Sequence, residues 1–111
     1  MKNEKVQMIE GSGNVFEDVG MPDPVDWLAR AELAMLIGDI LHKRRLTQVQ
    51  AARVLGTTQP KVCDLLAGRL GGFSIQRLMK YLLALDHDVQ IVVQPRDMSN
   101  LSSRITVVSA G

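Results

Sequence analysis

Four stretches of this chain space their apolar residues as helices do, and one alternates as a strand does. The first follows M-P-D-P-V-D-W and places Trp27, Ala31, Ala34, Ile37 and Leu41 at steps of three and four, the period of one buried stripe on a helix. Asp23 is placed to cap its start. Pro24 suits the first helical position, and Asp26 complements the positive end of the helix dipole. The spacing predicts a helix reaching about Arg44, with Trp27 as a core anchor.

The next two are short and close together. T-Q-V-Q is a capping box, with Thr47 as N-cap and Gln50 at the third helical position. It predicts a helix from about Gln48 to Leu55. Gly56 ends that helix, where a positive φ is wanted. Thr58 can cap the following helix, and Pro60 falls in its first turn, where a missing N–H costs little. That helix should end near Gly68. Val54 and Leu55 are expected to face the core from the first of the pair, and Val62 and Leu65 from the second. Ala52 lies where the two must cross closely. After the loop R-L-G-G-F, Ser74 can cap a fourth helix over about Ile75 to Leu85, with Ile75, Leu78, Met79, Leu82 and Leu83 as its apolar side.

The alternating stretch is D-V-Q-I-V-V-Q-P, closed by Pro95. One strand cannot satisfy its own backbone groups. Its partner can be the tail (R-I-T-V-V near the end reads as a second strand or a sticky tail), the N-terminal segment, another protein or a second copy of itself. Pairing about a two-fold axis is the simplest solution. Val89, Ile91, Val92 and Val93 are then the dimerisation strand.

Length and composition narrow this picture. At 111 residues the chain fits one domain with a modest core. We divide it into a flexible acidic arm over 1–22, a folded unit over 23–95 and a flexible tail over 96–111. The apolar run from Leu33 to Leu41 is interrupted by Gly38 and Asp39 and is too short to cross a membrane. The opening M-K-N-E-K-V-Q lacks the apolar centre of a signal peptide. Cys63 is the single cysteine, so no disulfide framework forms within the chain, and a cytoplasmic, reducing setting is expected.

Charge changes the picture more. The whole chain carries +1, but residues 1–41 hold three basic and eight acidic side chains. Residues 42–70 hold six basic ones (Lys43, Arg44, Arg45, Arg53, Lys61, Arg69) against Asp64 alone, a local +5. A clustered basic patch suits a polyanionic partner even when the chain is near neutral. The plainer alternative is a set of solvated helix faces.

Two short helices joined by a turn with a glycine are a helix-turn-helix candidate. With Val62 and Leu65 buried, Gln59, Lys61 and Asp64 face outward, and the start of such a helix is what enters a major groove. The segment L-T-Q-V-Q-A-A-R-V-L-G-T-T-Q-P-K-V-C-D-L-L-A-G resembles the helix-turn-helix of the lambdoid phage repressor and Cro family, also called the Xre family. A wider similarity runs from about Asn14 to Pro95 and points to a subgroup containing antitoxins of the HigA kind. The resemblance implies a mainly α, lambda-repressor-like bundle of four or five helices with a C-terminal strand for dimer pairing. It implies a homodimer on a palindromic DNA operator. It also implies a small basic partner, a RelE-like ribonuclease toxin that the antitoxin inhibits while repressing its own operon.

Carried onto this sequence, the resemblance implies roles for single residues. Gln59 meets a base, and glutamine can bond adenine N6 and N7 as a pair. Gln48 touches phosphate and braces Gln59. Thr47, Thr57 and Thr58 approach the backbone, the last two also a thymine methyl. Lys61 reaches phosphate or guanine. Arg44, Arg45, Arg53 and Arg69 are phosphate contacts, which position without reading sequence. Pro60 fills a reading slot that is often polar and offers only apolar contact. Asp64 fills another, and either accepts from cytosine N4 or repels phosphate.

Other chemistry is not evident. His42 and His87 have no cysteine partners, so no zinc site is expected. His42 in H-K-R-R is a phosphate contact or a plain surface residue. There is no G-x-x-x-x-G-K, no G-x-S-x-G and no acid–base pair of carboxylates, so an enzyme is not expected, nor a cofactor or metal. Cys63 reads as a small, partly buried residue beside the core stripe. The acidic arm is a solvated flank or a docking arm for a basic partner, with Val15, Phe16 and Trp27 as anchors. Three readings follow: an antitoxin that represses its own operon, a free-standing Xre regulator, and a protein-binding module that reads no DNA.

Overall fold

The computed structural model describes residues 24–96 and 105–109. The arm over 1–22, the cap expected at Asp23 and most of the tail lie outside those residues. Four helices are present among them: α1 (Pro24–Lys43), α2 (Gln48–Leu55), α3 (Gln59–Leu66) and α4 (Ile75–Ala84). No described helix is long and apolar enough to cross a membrane.

The starts of the three shorter helices are side-chain capped. Thr47 makes the full capping box with Gln50, accepting from its backbone N–H at 3.1 Å while the Thr47 N–H donates to Gln50 Oε1 at 2.9 Å. Thr58 accepts from the Lys61 N–H at 3.4 Å, and Ser74 from the Arg77 N–H at 3.0 Å. Each bond satisfies a donor that the first turn leaves without an intrahelical partner.

All four helices end in one way. A residue in the left-handed region follows the last turn: Arg45 (φ 55°), Gly56 (φ 71°), Gly68 (φ 79°) and Asp86 (φ 65°). The next N–H then reaches back five residues to a helix carbonyl. These bonds run Leu46 to Leu41 at 3.2 Å, Thr57 to Ala52 at 2.9 Å, Arg69 to Asp64 at 2.9 Å and His87 to Leu82 at 3.0 Å. The closure satisfies orphan carbonyls and reverses the chain within a few residues.

The core sits between α1 and the other three. α1 packs mainly on α4, and α2 mainly on α3, with α1–α3 and α2–α4 contacts closing the bundle. Ala29, Leu33, Ala34, Ile37 and Leu41 are buried on α1, Ala51, Ala52 and Leu55 on α2, and Val62 and Leu65 on α3. Leu70 and Phe73 join from the loop, and Leu78, Tyr81, Leu82 and Leu85 from α4 and its end.

Several expected core positions lie elsewhere. Ala34, Ile37 and Leu41 of the expected α1 stripe are buried and Ala31 packs against the core, but Trp27 is 40% exposed, since Ala29 and Leu33 take the buried places at the start of the helix. Val54 is exposed, since Ala51, Ala52 and Leu55 fill the α2 contact. Leu83 is exposed, and Tyr81 takes a core place on α4, meeting Phe73 edge-to-face at 6.2 Å. Cys63 is exposed, not partly buried.

The strand expected at Val89, Ile91, Val92 and Val93 is not formed as a strand. Among the described residues there is none, and 87–96 run without helix or ladder. A strand needs a second one to complete its hydrogen bonds, and the rest of the described chain does not supply it. Val89 packs against the core, whereas Ile91, Val92 and Val93 are exposed. The second strand expected in R-I-T-V-V is likewise not formed over 105–109, where the Val107 N–H donates to Glu32 Oε1 at 3.4 Å.

A Cβ built at Gly56 would meet nothing within 4 Å, so its demand is conformational alone. Gly56→Ala should lower unfolding free energy by about 1 kcal/mol, and Gly56→Asn, which tolerates the left-handed region, should recover much of that. Urea denaturation of the two variants checks this; equal losses would point to packing.

Candidate nucleic-acid interface

α3 shows one face to the core and one to solvent. Val62 and Leu65 are buried, while Gln59, Pro60, Cys63 and Ala67 are exposed and Asp64 is half-exposed. At 100° per residue, Pro60, Asp64 and Ala67 lie opposite the buried stripe. The turn after Gly56 and the cap at Thr58 bring this helix out at the end of α2, so its first turn leads into solvent. The cap bonds engage the Thr47 and Thr58 hydroxyls.

Two of the expected reading residues are held by neighbours. The Lys61 ammonium lies over the Phe73 ring, 5.1 Å from its centre. It also occupies the space beside Gly72, where a Cβ would come within 2.8 Å of Nζ. Ring and ammonium attract through the ring quadrupole. The Asp64 carboxylate accepts from Arg69 Nε at 2.9 Å, and Arg69 Nη2 lies 3.7 Å from Cys63 Sγ. The Asp64 hydrogen bond and charge raise the Arg69 pKa above its ordinary value. Gln48 and Gln59, expected to brace each other, make no hydrogen bond together in this structure.

The loop behind α3 is fastened from α1. Arg30 Nη1 donates to the carbonyls of Leu70 (3.1 Å) and Phe73 (3.2 Å). Its Nε lies 3.1 Å from the Asp26 carboxylate, an ion pair whose angle does not make a hydrogen bond. This arrangement sets Phe73 beneath Lys61. Sequence reasoning missed Arg30, because its partners lie 40 and 43 residues away.

A family model described as a helix-turn-helix domain matches residues 15–94. A solved XRE-family transcriptional regulator is 42% identical, with a TM-score of 0.75, covering 80% of this chain and 100% of its own. The chain belongs to the Xre-type helix-turn-helix family. Among functionally curated proteins nothing matches it. The family match begins inside the stretch expected to be a flexible arm.

Within this Xre-type domain the expected phosphate contacts fall into two groups. Arg44, Arg45, Arg53 and Arg69 are all exposed, but only the last three lack a tie to α4. Arg44 is tied inward: its guanidinium donates to the Leu85 carbonyl and lies 3.7 Å from the Asp86 carboxylate, so it joins the end of α1 to the end of α4. Gln48 and Thr57 are half-buried at the start of α2 and in the turn. His87 Nδ1 lies 2.9 Å from the Leu85 carbonyl, and no described cluster of His, Cys, Asp or Glu is placed to hold a metal ion.

Arg30→Met keeps the unbranched apolar stem and removes the guanidinium with its donors. It should lower stability by about 2 kcal/mol, because two loop carbonyls lose a charged partner. Denaturant unfolding measures the loss. A change below a few tenths would mean that solvent replaces the guanidinium without penalty.

Proposed function

We propose that this Xre-family chain is a sequence-specific DNA-binding transcriptional repressor, and the antitoxin of a toxin–antitoxin pair. The observation that carries the DNA-binding part is the outer face of α3. It is exposed along one side, held by a buried stripe on the other, and set in the stretch carrying a local +5. Gln59 and Pro60 lead into the major groove, with Lys61 released from Phe73 toward phosphate or guanine. Arg45 and Arg53 flank them as phosphate contacts, and Gln48, Thr47, Thr57 and Thr58 approach the backbone at the helix starts.

Two features support the finer parts of this reading. Ile91, Val92 and Val93 are exposed and apolar, and pairing them with a second copy would give their backbone groups partners and form a homodimer. The acidic residues of 1–41 and the exposed Trp27, Leu28, Met35 and Leu66 suit a basic partner with apolar anchors, as a ribonuclease toxin would be. The toxin would be neutralised in the complex, and the dimer would repress its own operon from a palindrome. Its half-sites would lie about one helical turn apart, or a multiple. The free-standing regulator differs only in having no such partner.

Selection of the purified chain on random duplex DNA, with Gln59→Ala in parallel, tests the reading. A palindromic site should emerge, and the variant should relax preference at one position by about 1–3 kcal/mol. Arg53→Ala should weaken binding evenly across sequences and lower the salt slope by about 1. No enriched site, with weak binding equal in all variants, would leave a protein-binding module. Copurification of a small basic protein expressed from the adjacent gene would separate the antitoxin from a free-standing regulator.

A further inference from the structure

Asp64 and Arg69 form one unit on the outer face of α3. α3 ends at Leu66, and Gly68, at φ 79°, turns the chain back. The Arg69 N–H then bonds the Asp64 carbonyl at 2.9 Å, and its Nε bonds Asp64 Oδ1 at 2.9 Å. Backbone and side chain are thus fixed to the same residue. Nη2 rests 3.7 Å from Cys63 Sγ. The side chains are still 43% (Asp64) and 63% (Arg69) exposed. Among the described residues no group engages Nη1, so there the end of the guanidinium fork is open to a ligand.

We propose that Arg69 reads guanine, and that Asp64 is the positioning residue that lays its fork along the reading face. This rests on the DNA-binding reading above and changes the role of both residues within it. An open guanidinium fork fits a phosphate or the O6/N7 edge of guanine equally in shape. Charge separates them. Beside Asp64 the pair has no net charge, so attraction to a phosphate is largely cancelled and the carboxylate repels it. Guanine needs only two aligned donors, which the pairing preserves. Position agrees: Asp64 lies opposite the buried stripe, where α3 faces the floor of the groove and not its rim. A fork already held in place also loses less freedom on binding.

The test is selection on random duplexes by the full chain and by Arg69→Lys, Asp64→Asn and Asp64→Glu, each first shown folded by its melting curve. Any enriched site for the unaltered chain upholds DNA binding by itself; its guanine column then tests the inference. Arg69→Lys keeps the charge and loses the fork, so preference for one guanine should fall about tenfold or more. Asp64→Asn should lower preference at that same guanine while steepening the salt dependence by about one unit, because it unmasks a positive charge. A merely destabilised protein would not show that opposite pair of changes. Asp64→Glu, which keeps a partner for Arg69, should retain most of the preference. The inference fails if Arg69→Lys alters affinity evenly and leaves every base preference in place, which marks a phosphate contact. It fails equally if Asp64→Asn changes a position that Arg69→Lys does not, because Asp64 then reads for itself. If the unaltered chain enriches no site, the proposed function falls and this inference with it.

Discussion

A left-handed residue followed by a bond back five residues closes every described helix, and the geometry of the candidate interface depends on that closure. It makes the turns short, so each helix leaves its predecessor in a set direction. Between α2 and α3 the closing residue is Gly56, followed within two residues by the Thr58 cap. That leaves little slack. Once Val62 and Leu65 are buried, Pro60 and Asp64 must face solvent. At the other end of α3 the same device, with Gly68, turns Arg69 back on Asp64.

α1 is the platform on which this pair is mounted. It buries one side against α4 and α3, and Arg30 reaches from it to the loop that follows α3. That loop carries Phe73, whose ring holds the Lys61 ammonium. The chain of contacts runs from Asp26 through Arg30 and Phe73 to Lys61. A half-buried anchor on α1 thereby bears on the first turn of α3, the start of the candidate interface. Arg44 ties the same platform to the end of α4.

The charges then take on distinct jobs. Of the six basic residues in 42–70, Arg44 is structural, Lys61 is parked on an aromatic ring, and Arg69 is neutralised by the one carboxylate of that stretch. Lys43, Arg45 and Arg53 remain exposed without such a partner among the described residues. A local charge sum overstates the cation available to a polyanion when ion pairs form within it. The same pairs supply what a charge sum lacks, namely donors with fixed directions, and these are what distinguish one base from another.

The sequence by itself determined the features made within about five residues. The Thr47, Thr58 and Ser74 caps, the Gly56 turn, the place of Pro60 and the starts of the three shorter helices are all of this kind. Each depends on one side chain or one φ angle beside the backbone it serves, so local order is enough to read it. The outward side of α3 was legible for the same reason. Only the tertiary structure decided that Trp27 is left outside at the start of α1, and which apolar residues of α2 and α4 are left exposed, as Val54 and Leu83 are. It alone brought Arg30 to the loop carbonyls and Lys61 to Phe73, and it left Val89–Val93 without the strand their alternation suggests. These outcomes depend on competition between faces of similar hydrophobicity and on partners distant in sequence. Periodicity carries no information about either, because it records what a segment can bury and not what arrives to bury it.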